Sequence, residues 1–462
     1  MEEYHVIVVG GGHAALSAAL SARRAGRRVL VLERAPQHMR GGNSRHTRNV
    51  RCAHDRADPY LTGEYGEDEF LEDLRKVGGG QVNVDLARFA ISESRTLPPW
   101  MTEHGATWQR ALSGTLSLGR TNRFFLGGGK ALLNAYYDTC RRLGVEVRYE
   151  AGVEDIVVEG RRAEAVVLRR GGSRELVRGK AVVVAAGGFE ANLGWLKRYW
   201  GAAADNFVVR GTPYNDGTVL AALLEKGAAQ VGDPKGFHAI AVDARAPKYD
   251  GGIATRLDSI PFGIVVNQAG ARFSDEGEDL WPKRYASWGA RVAAQPGQIA
   301  YSIFDAKAIG CFLPPLYKPF QADSIAALAA LLQIDPGALV STVDAYNRAT
   351  AGNTAFRADA LDGLCTRGLG LPKSNWARPI DRPPFCASPL RPGVTFTYMG
   401  VGVDETARLV DRHGRPFANL YAAGEIMSGN ILASGYLAGF GMTIGGVFGR
   451  LAGREAATHA AH

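Results

Sequence analysis

At 462 residues the chain exceeds what one ordinary hydrophobic core holds, which predicts two or three domains. Apolar residues at 46% and charged residues at 22% exclude a disordered or fibrous chain, and glycines interrupt every apolar run short of a membrane helix. The 54 basic residues outnumber the 46 acidic ones, a net charge of +8 that suits anionic partners.

The acidic start Met1-Glu2-Glu3-Tyr4 runs straight into strand-like residues, so no secretory leader is expected and a cytoplasmic location is. His5 to Val9 is a continuous apolar run of the buried parallel-strand type. After Gly10-Gly11-Gly12-His13-Ala14-Ala15 comes an alanine-rich helix to Ala25, closed by Gly26, and then a second strand over Arg28 to Glu33. Strand, helix and strand in about 30 residues make the dinucleotide-binding unit. In Gly10-x-Gly12-x-x-Ala15 the first glycine turns the chain, the second admits a pyrophosphate to backbone N–H groups, and the small third residue packs helix on strand. Glu33 ends the second strand where a carboxylate accepts from an adenosine ribose.

The densest basic stretch holds Arg40, Arg45, Arg48, Arg51 and Arg56 without the interleaved aromatics of a single-strand platform. These arginines are read as aimed at phosphates or carboxylates, and no nucleic acid is expected. Asp68 to Arg110 reads as helical, with Trp100 and Trp108 in the core. Gly127-Gly128-Gly129-Lys130 fails the phosphate-loop pattern, having Phe124 and Ala131 where Gly and Ser/Thr are needed. It is either a turn entering the helix over 131–143 or a backbone contact for the cofactor.

Strands follow over 145–149, 153–158 and 163–169, then a buried strand into Gly187-Gly188 and a helix over 218–226. Between 232 and 365 prolines and scattered aromatics suggest a separate lobe. Nucleotide-domain character returns at Asn419 to Glu425, and a glycine-rich helix runs to about Ala457. The five cysteines, Cys52, Cys140, Cys311, Cys365 and Cys386, form no C-x-x-C pair, so no iron–sulfur or zinc site is expected. Electrons from a redox reaction must then leave to another molecule.

Four landmarks occur in order: Arg40 to Ser44, Ala185 to Phe189, Arg272-Phe273-Ser274-Asp275-Glu276 and Leu420 to Glu425. This series resembles the succinate dehydrogenase/fumarate reductase flavoprotein superfamily. Gly41 to Asn49, Val242 to Pro247, Asp275 to Asp279 and Pro392 to Tyr398 are similar, more closely, to the FAD-dependent tricarballylate dehydrogenases. The resemblance covers essentially the whole chain. It implies an α/β fold class: a Rossmann-like FAD-binding domain in two parts, 1–231 and 366–462, interrupted by a smaller α+β capping domain, 232–365.

It also implies oxidation of tricarballylate to cis-aconitate by non-covalent FAD. The partners implied are a small anionic carboxylate and an external acceptor, a separate membrane-associated iron–sulfur protein that would hold the enzyme peripherally at the inner membrane. Carried over by position, the cofactor residues are Gly10, Gly12, His13, Ala14, Ala15, Glu33, Arg34, Gly41, Gly42, Asn43, Ser44 and Thr47. Gly129, Val153, Ala186, Gly187, Gly188, Glu425, Gly441 and Met442 complete that set. Membrane-bound relatives tether FAD through a histidine near the position of His46, which is otherwise read as lining the site.

The catalytic positions implied are Arg284 as proton shuttle, with Tyr285 or Lys283 as substitutes because the preceding loop is longer than in fumarate reductases. His238, Thr395, Thr397, Tyr398 and Tyr436 are expected to bind substrate, and Arg45 and Arg48 are further candidates. Thr395 to Tyr398 and Tyr436 replace the histidine and arginine with which fumarate reductases hold a C4-dicarboxylate, so plain succinate/fumarate chemistry is disfavoured. The same flavin chemistry on another substrate, a flavoprotein acting on RNA and a non-enzymatic redox partner are the competing readings.

Overall fold

The computed structural model describes residues 3–79, 83–111, 118–350, 352 and 355–461. Strand β1 (Tyr4–Val9) is buried almost throughout and sits in the middle of an eight-stranded sheet. It pairs in parallel with β2 (Val29–Leu32), Val6 facing Val29, and with the end of the Ser173–Val184 strand, where Val6 faces Ala181. Helix α1 (His13–Arg24) makes the crossover between β1 and β2. Glu146–Arg148 extends the parallel sheet beyond β2, and Pro416–Ala422 extends it beyond Ser173–Val184. The order of connection reverses beside β1, which leaves a crevice at the carboxyl ends of the strands.

The last helix (Phe440–His459) packs directly on α1. A Cβ on Gly449 or Gly453 would lie 2.5 or 2.2 Å from the carbonyl oxygens of Ala14 and Ala18. The glycine excess of this helix therefore lets two backbones touch, and the alanines of α1 are the matching small residues.

The stretch expected to be helical over 68–110 divides into Glu67–Val77, Val84–Glu93 and Leu97–Glu103, followed by a short strand, Trp108–Gln109. Residues 80–82 within it lie outside the described residues. Trp100 and Trp108 are half-buried at the rim of the core, not inside it. Trp108 uses its Nε1–H on Thr102 Oγ1 (2.8 Å), and Trp100 lies beneath the Arg450 guanidinium at 5.6 Å.

A second, six-stranded sheet is built around the long Phe385–Thr397 strand. Phe237–Asp243, Ala300–Phe304, Phe320–Ala322 and Val208–Val209 all pair with that strand. The sheet thus draws strands from both sides of the interval 232–365. Helices Ile325–Leu332 and Pro336–Ala349 cover it with a core of their own, including Ile264, Ile303, Leu328 and Val343. A register shift between His238 and Ala239 marks a bulge, a device that re-aims a side chain. Among the described residues no helix is long and apolar enough to cross a membrane.

Candidate active site

A continuous cavity runs from the carboxyl end of β1 to the long strand of the second sheet. At its first end Gly10 adopts a left-handed φ of +108°, and a Cβ there would lie 2.3 Å from Ala185 O. Only glycine fits, for both reasons. Gly12 caps α1 without a side-chain cap, so the helix N-terminus keeps N–H groups for an anion, although His13 N already donates to Ser44 Oγ (3.1 Å). Glu33 is 5% exposed and accepts from the N–H groups of Ala35 (2.9 Å) and Gly41 (3.1 Å). Burial pushes its carboxyl up, while those backbone donors pull the other way.

His13, Ala14, Arg34, Gly42, Asn43, Ser44 and Thr47 line the same cavity, as do Val153, Ala186, Gly187, Gly188, Glu425, Gly441 and Met442. Three expected contacts are placed behind the wall. Ala15 is fully buried in the core, and Gly41 packs against Leu133. Gly129 donates its N–H to Thr47 O (2.7 Å) and leaves no room for a Cβ against Ser44 O. The Gly127–Lys130 turn thus opens the Gly128–Arg142 helix and braces the 44–47 segment from outside.

The far end of the cavity is cationic. Arg48, Arg210 and Arg256 line it with His238, Tyr285, Thr395 and Tyr436. Arg256 Nη2 donates to Asp258 Oδ2 (2.8 Å), and Trp281 Nε1 donates to the other oxygen of that carboxylate (2.6 Å). Arg210 Nε donates to the neutral Thr395 Oγ1 (2.7 Å), and Arg48 Nη2 is buried with no hydrogen-bond partner among the described residues. Burial, with the charge of Arg256 nearby, lowers both Arg48 and Arg210 to about 10, so both stay charged at neutral pH. Burial first, then Arg210 and Arg256, push His238 well below its ordinary range and keep it neutral. Its ring stacks on Tyr436 at 4.1 Å and meets Tyr285 edge-on at 5.8 Å.

Arg284, Thr397 and Tyr398 do not line the cavity. Arg284 Nε lies 3.5 Å from Glu278 and 4.0 Å from Asp279, and the next residue in the chain, Tyr285, takes the inward position. Thr397 is turned to Glu425, and Tyr398 is fully buried with its hydroxyl on Gly435 O (3.1 Å). His46 lines the cavity with Nε2 bonded to Asp250 Oδ1 (2.5 Å). Arg45 faces an outer groove and donates to Met39 O.

The family model described as FAD binding domain matches residues 5–439 of the chain. The chain belongs to that family. This flavoprotein is 28% identical over 476 residues to a probable fumarate reductase, Ifc3, of Shewanella frigidimarina, covering 99% of the chain and 76% of the relative. The open conformation of a flavocytochrome c3 fumarate reductase superposes with a TM-score of 0.77 at 23% identity, covering 100% of the chain and 79% of that structure. A 3-ketosteroid-Δ4-(5α)-dehydrogenase from Rhodococcus jostii RHA1, in complex with 4-androstene-3,17-dione, gives 0.76 at 21% identity, over 98% and 97%. At such identities the two solved structures establish the fold alone.

The flavoprotein is an FAD-dependent oxidoreductase. Its residues fit the cofactor on structural grounds: the side-chain-free cradle at Gly10 and Gly12, the open N-terminus of α1 and the buried Glu33 carboxylate suit a pyrophosphate and a ribose. Gly439, at φ +80°, starts the last helix so that Gly441 and Met442 close the opposite wall.

Arg210, Arg256 and Asn215, which also line the cavity, were not legible as site residues. Arg210 follows a two-residue buried strand, Val208–Val209, and Arg256 sits among loops in Thr255-Arg256-Leu257-Asp258. The one available signal was a lone arginine inside an apolar stretch, which is a weak one.

Proposed function

We propose that this flavoprotein dehydrogenates a small polycarboxylate, in a reaction of the tricarballylate to cis-aconitate type. The observation that carries the reading is the charge at the far end of the cavity: three inward guanidiniums face one carboxylate, Asp258. A buried ion without a counter-charge costs several kcal/mol, so the wall is built for a ligand that brings negative charge. A neutral steroid enone would leave Arg48 and Arg210 uncompensated.

In such a reaction a proton leaves the carbon α to one carboxylate and a hydride leaves the adjacent carbon. Bound FAD supplies the hydride acceptor. Arg48 and Arg210 bind substrate carboxylates and hold the carbon chain in one register. His238, neutral and with Nδ1 unpartnered, is placed to hydrogen-bond a third. Developing charge on the carboxylate beside the reacting carbon is met by Arg256, whose orientation Asp258 fixes. Tyr285 relays the proton: its phenolic oxygen accepts it from the substrate carbon as its own O–H proton passes outward to solvent. It lines the cavity, with the Arg256 guanidinium 5.0 Å from its ring centroid and the His238 ring edge-on at 5.8 Å. Electrons then pass to a separate acceptor protein, of the membrane-associated iron–sulfur kind.

The test is anaerobic titration of the holoenzyme with tricarballylate, succinate and 4-androstene-3,17-dione, and of the reduced enzyme with cis-aconitate and fumarate. Bleaching of the flavin band by tricarballylate is the expected result. A response to the steroid alone would overturn the reading.

A further inference from the structure

Behind the glycine turn at Gly187–Gly188, two glutamates distant in the chain meet with no cation between them. Glu190 is fully buried, and its Oε1 accepts from Asn43 Nδ2 and Asn215 Nδ2, the latter at 2.7 Å. Glu425 lines the cavity, and its Oε1 accepts from the N–H (2.8 Å) and the hydroxyl (3.3 Å) of Thr397. One oxygen of each carboxyl is thus supplied with donors, while Glu190 Oε2 is buried with no hydrogen-bond partner among the described residues. Gly188 fixes their proximity: a Cβ on it would lie 2.2 Å from Glu425 Oε1 and 2.8 Å from Glu190 Oε2.

The nearby polar groups have other hydrogen-bond partners: Arg210 donates to Thr395 Oγ1, His46 is bonded to Asp250, and the Tyr436 hydroxyl accepts from Gly441 N. Among the described residues neither glutamate has an ion pair. Two bare carboxylates this close repel, and one proton between them turns repulsion into a hydrogen bond.

We propose that Glu190 and Glu425 share a proton and form a pH-dependent clasp for the cofactor-facing wall. Asn43, held by Glu190, also donates to Thr395 O (2.7 Å) and accepts from Thr212 N (2.8 Å). The clasp therefore ties together the segments at 43, 187–190, 212–215, 395–397 and 425, and through Thr395 it reaches Arg210. Both carboxyls are raised, Glu190 by burial and Glu425 by burial and the charge of Glu190, in keeping with one proton held by the pair. These are positioning residues. Because both groups are raised, the stability the shared proton contributes is fully present below the ordinary carboxylate range and is lost as pH rises through the last ionisation of the pair.

The experiment measures FAD affinity against pH for the wild type, E190Q and E425Q, together with infrared spectra of each. Loss of one proton from the pair weakens FAD binding by up to about tenfold per pH unit. In either variant an amide N–H replaces the shared proton, so this component of the slope disappears while FAD is still bound at neutral pH. The wild type shows a protonated-carboxyl C=O band at neutral pH that shifts in D2O and that both variants lose. An unchanged slope in the variants, or a band they leave intact, overturns the clasp. Should neither variant fold, titration of the wild-type band decides: its absence at neutral pH overturns the proposal equally. No substrate enters these measurements, so a failed polycarboxylate titration would leave the clasp standing.

Discussion

Arg210 and Tyr285 carry most of the weight in the proposed chemistry, and they separate binding from proton transfer. A hydrogen bond to a charged group is worth about 1.5–3 kcal/mol, roughly ten- to a hundred-fold in affinity. Arg210→Met should therefore raise KM for a polycarboxylate by about that factor in steady-state assays with an artificial acceptor, with FAD content unchanged. Removing a general base costs roughly 10²–10⁴ in rate. Tyr285→Phe should lower kcat within that range at nearly constant KM, while Arg284→Met stays within about tenfold of wild type. The opposite order would return the proton to Arg284, which the sequence favoured. Counting residues from the Arg272–Glu276 landmark cannot resolve one position across a longer loop, and here a single step exchanges an arginine beside Glu278 for a tyrosine that lines the cavity.

Two elements from different lobes hold that step in register. Asp73, on the Glu67–Val77 helix, accepts from Lys283 Nζ (2.9 Å) and from the Tyr65 hydroxyl (2.9 Å), and Arg51 lies within 3.9 Å of it. Lys76 on the same helix pairs with Asp279 (3.4 Å), but its side chain is 58% exposed. Removing a partner from a buried pair costs about 3–5 kcal/mol, whereas an exposed pair contributes about 0–1 kcal/mol. Asp73→Asn should lower thermal stability markedly and speed hydrogen exchange over 279–285; Lys76→Met should do neither. Equal behaviour of the two variants would show that Asp73 does not secure this segment. Legibility differed between elements for physical reasons. Strand β1, α1 and β2 are contiguous, and their apolar runs and glycines carry the whole unit. The Phe385–Thr397 strand hides behind Pro389 and Pro392, residues that argue against a central strand although both are paired here. The helical reading of 68–110 passed over Pro98-Pro99, which opens a new helix instead of continuing one.

At the scale of the molecule the cofactor cradle was readable and the substrate end was not. Gly10, Gly12 and Glu33 sit within one local motif, so spacing alone brings them together. Arg48, Arg210, Arg256, Tyr285 and Thr395 come from five separate segments and converge only when the second sheet folds against the first. The cavity is thus a seam between lobes, and a ligand filling it joins both to one equilibrium. Binding at a hundred times Kd adds about 2.7 kcal/mol to stability, so saturating FAD should raise the melting temperature of the apoprotein by a few degrees as a single transition. Gly10→Ala should abolish that rise, because a Cβ at φ +108° would sit 2.3 Å from Ala185 O and displace the turn beneath the pyrophosphate. If FAD shifted only part of a two-step melt, the lobes would be energetically independent. The arginines of the substrate end would then need their carboxylate ligand, not the cofactor, to bring them together.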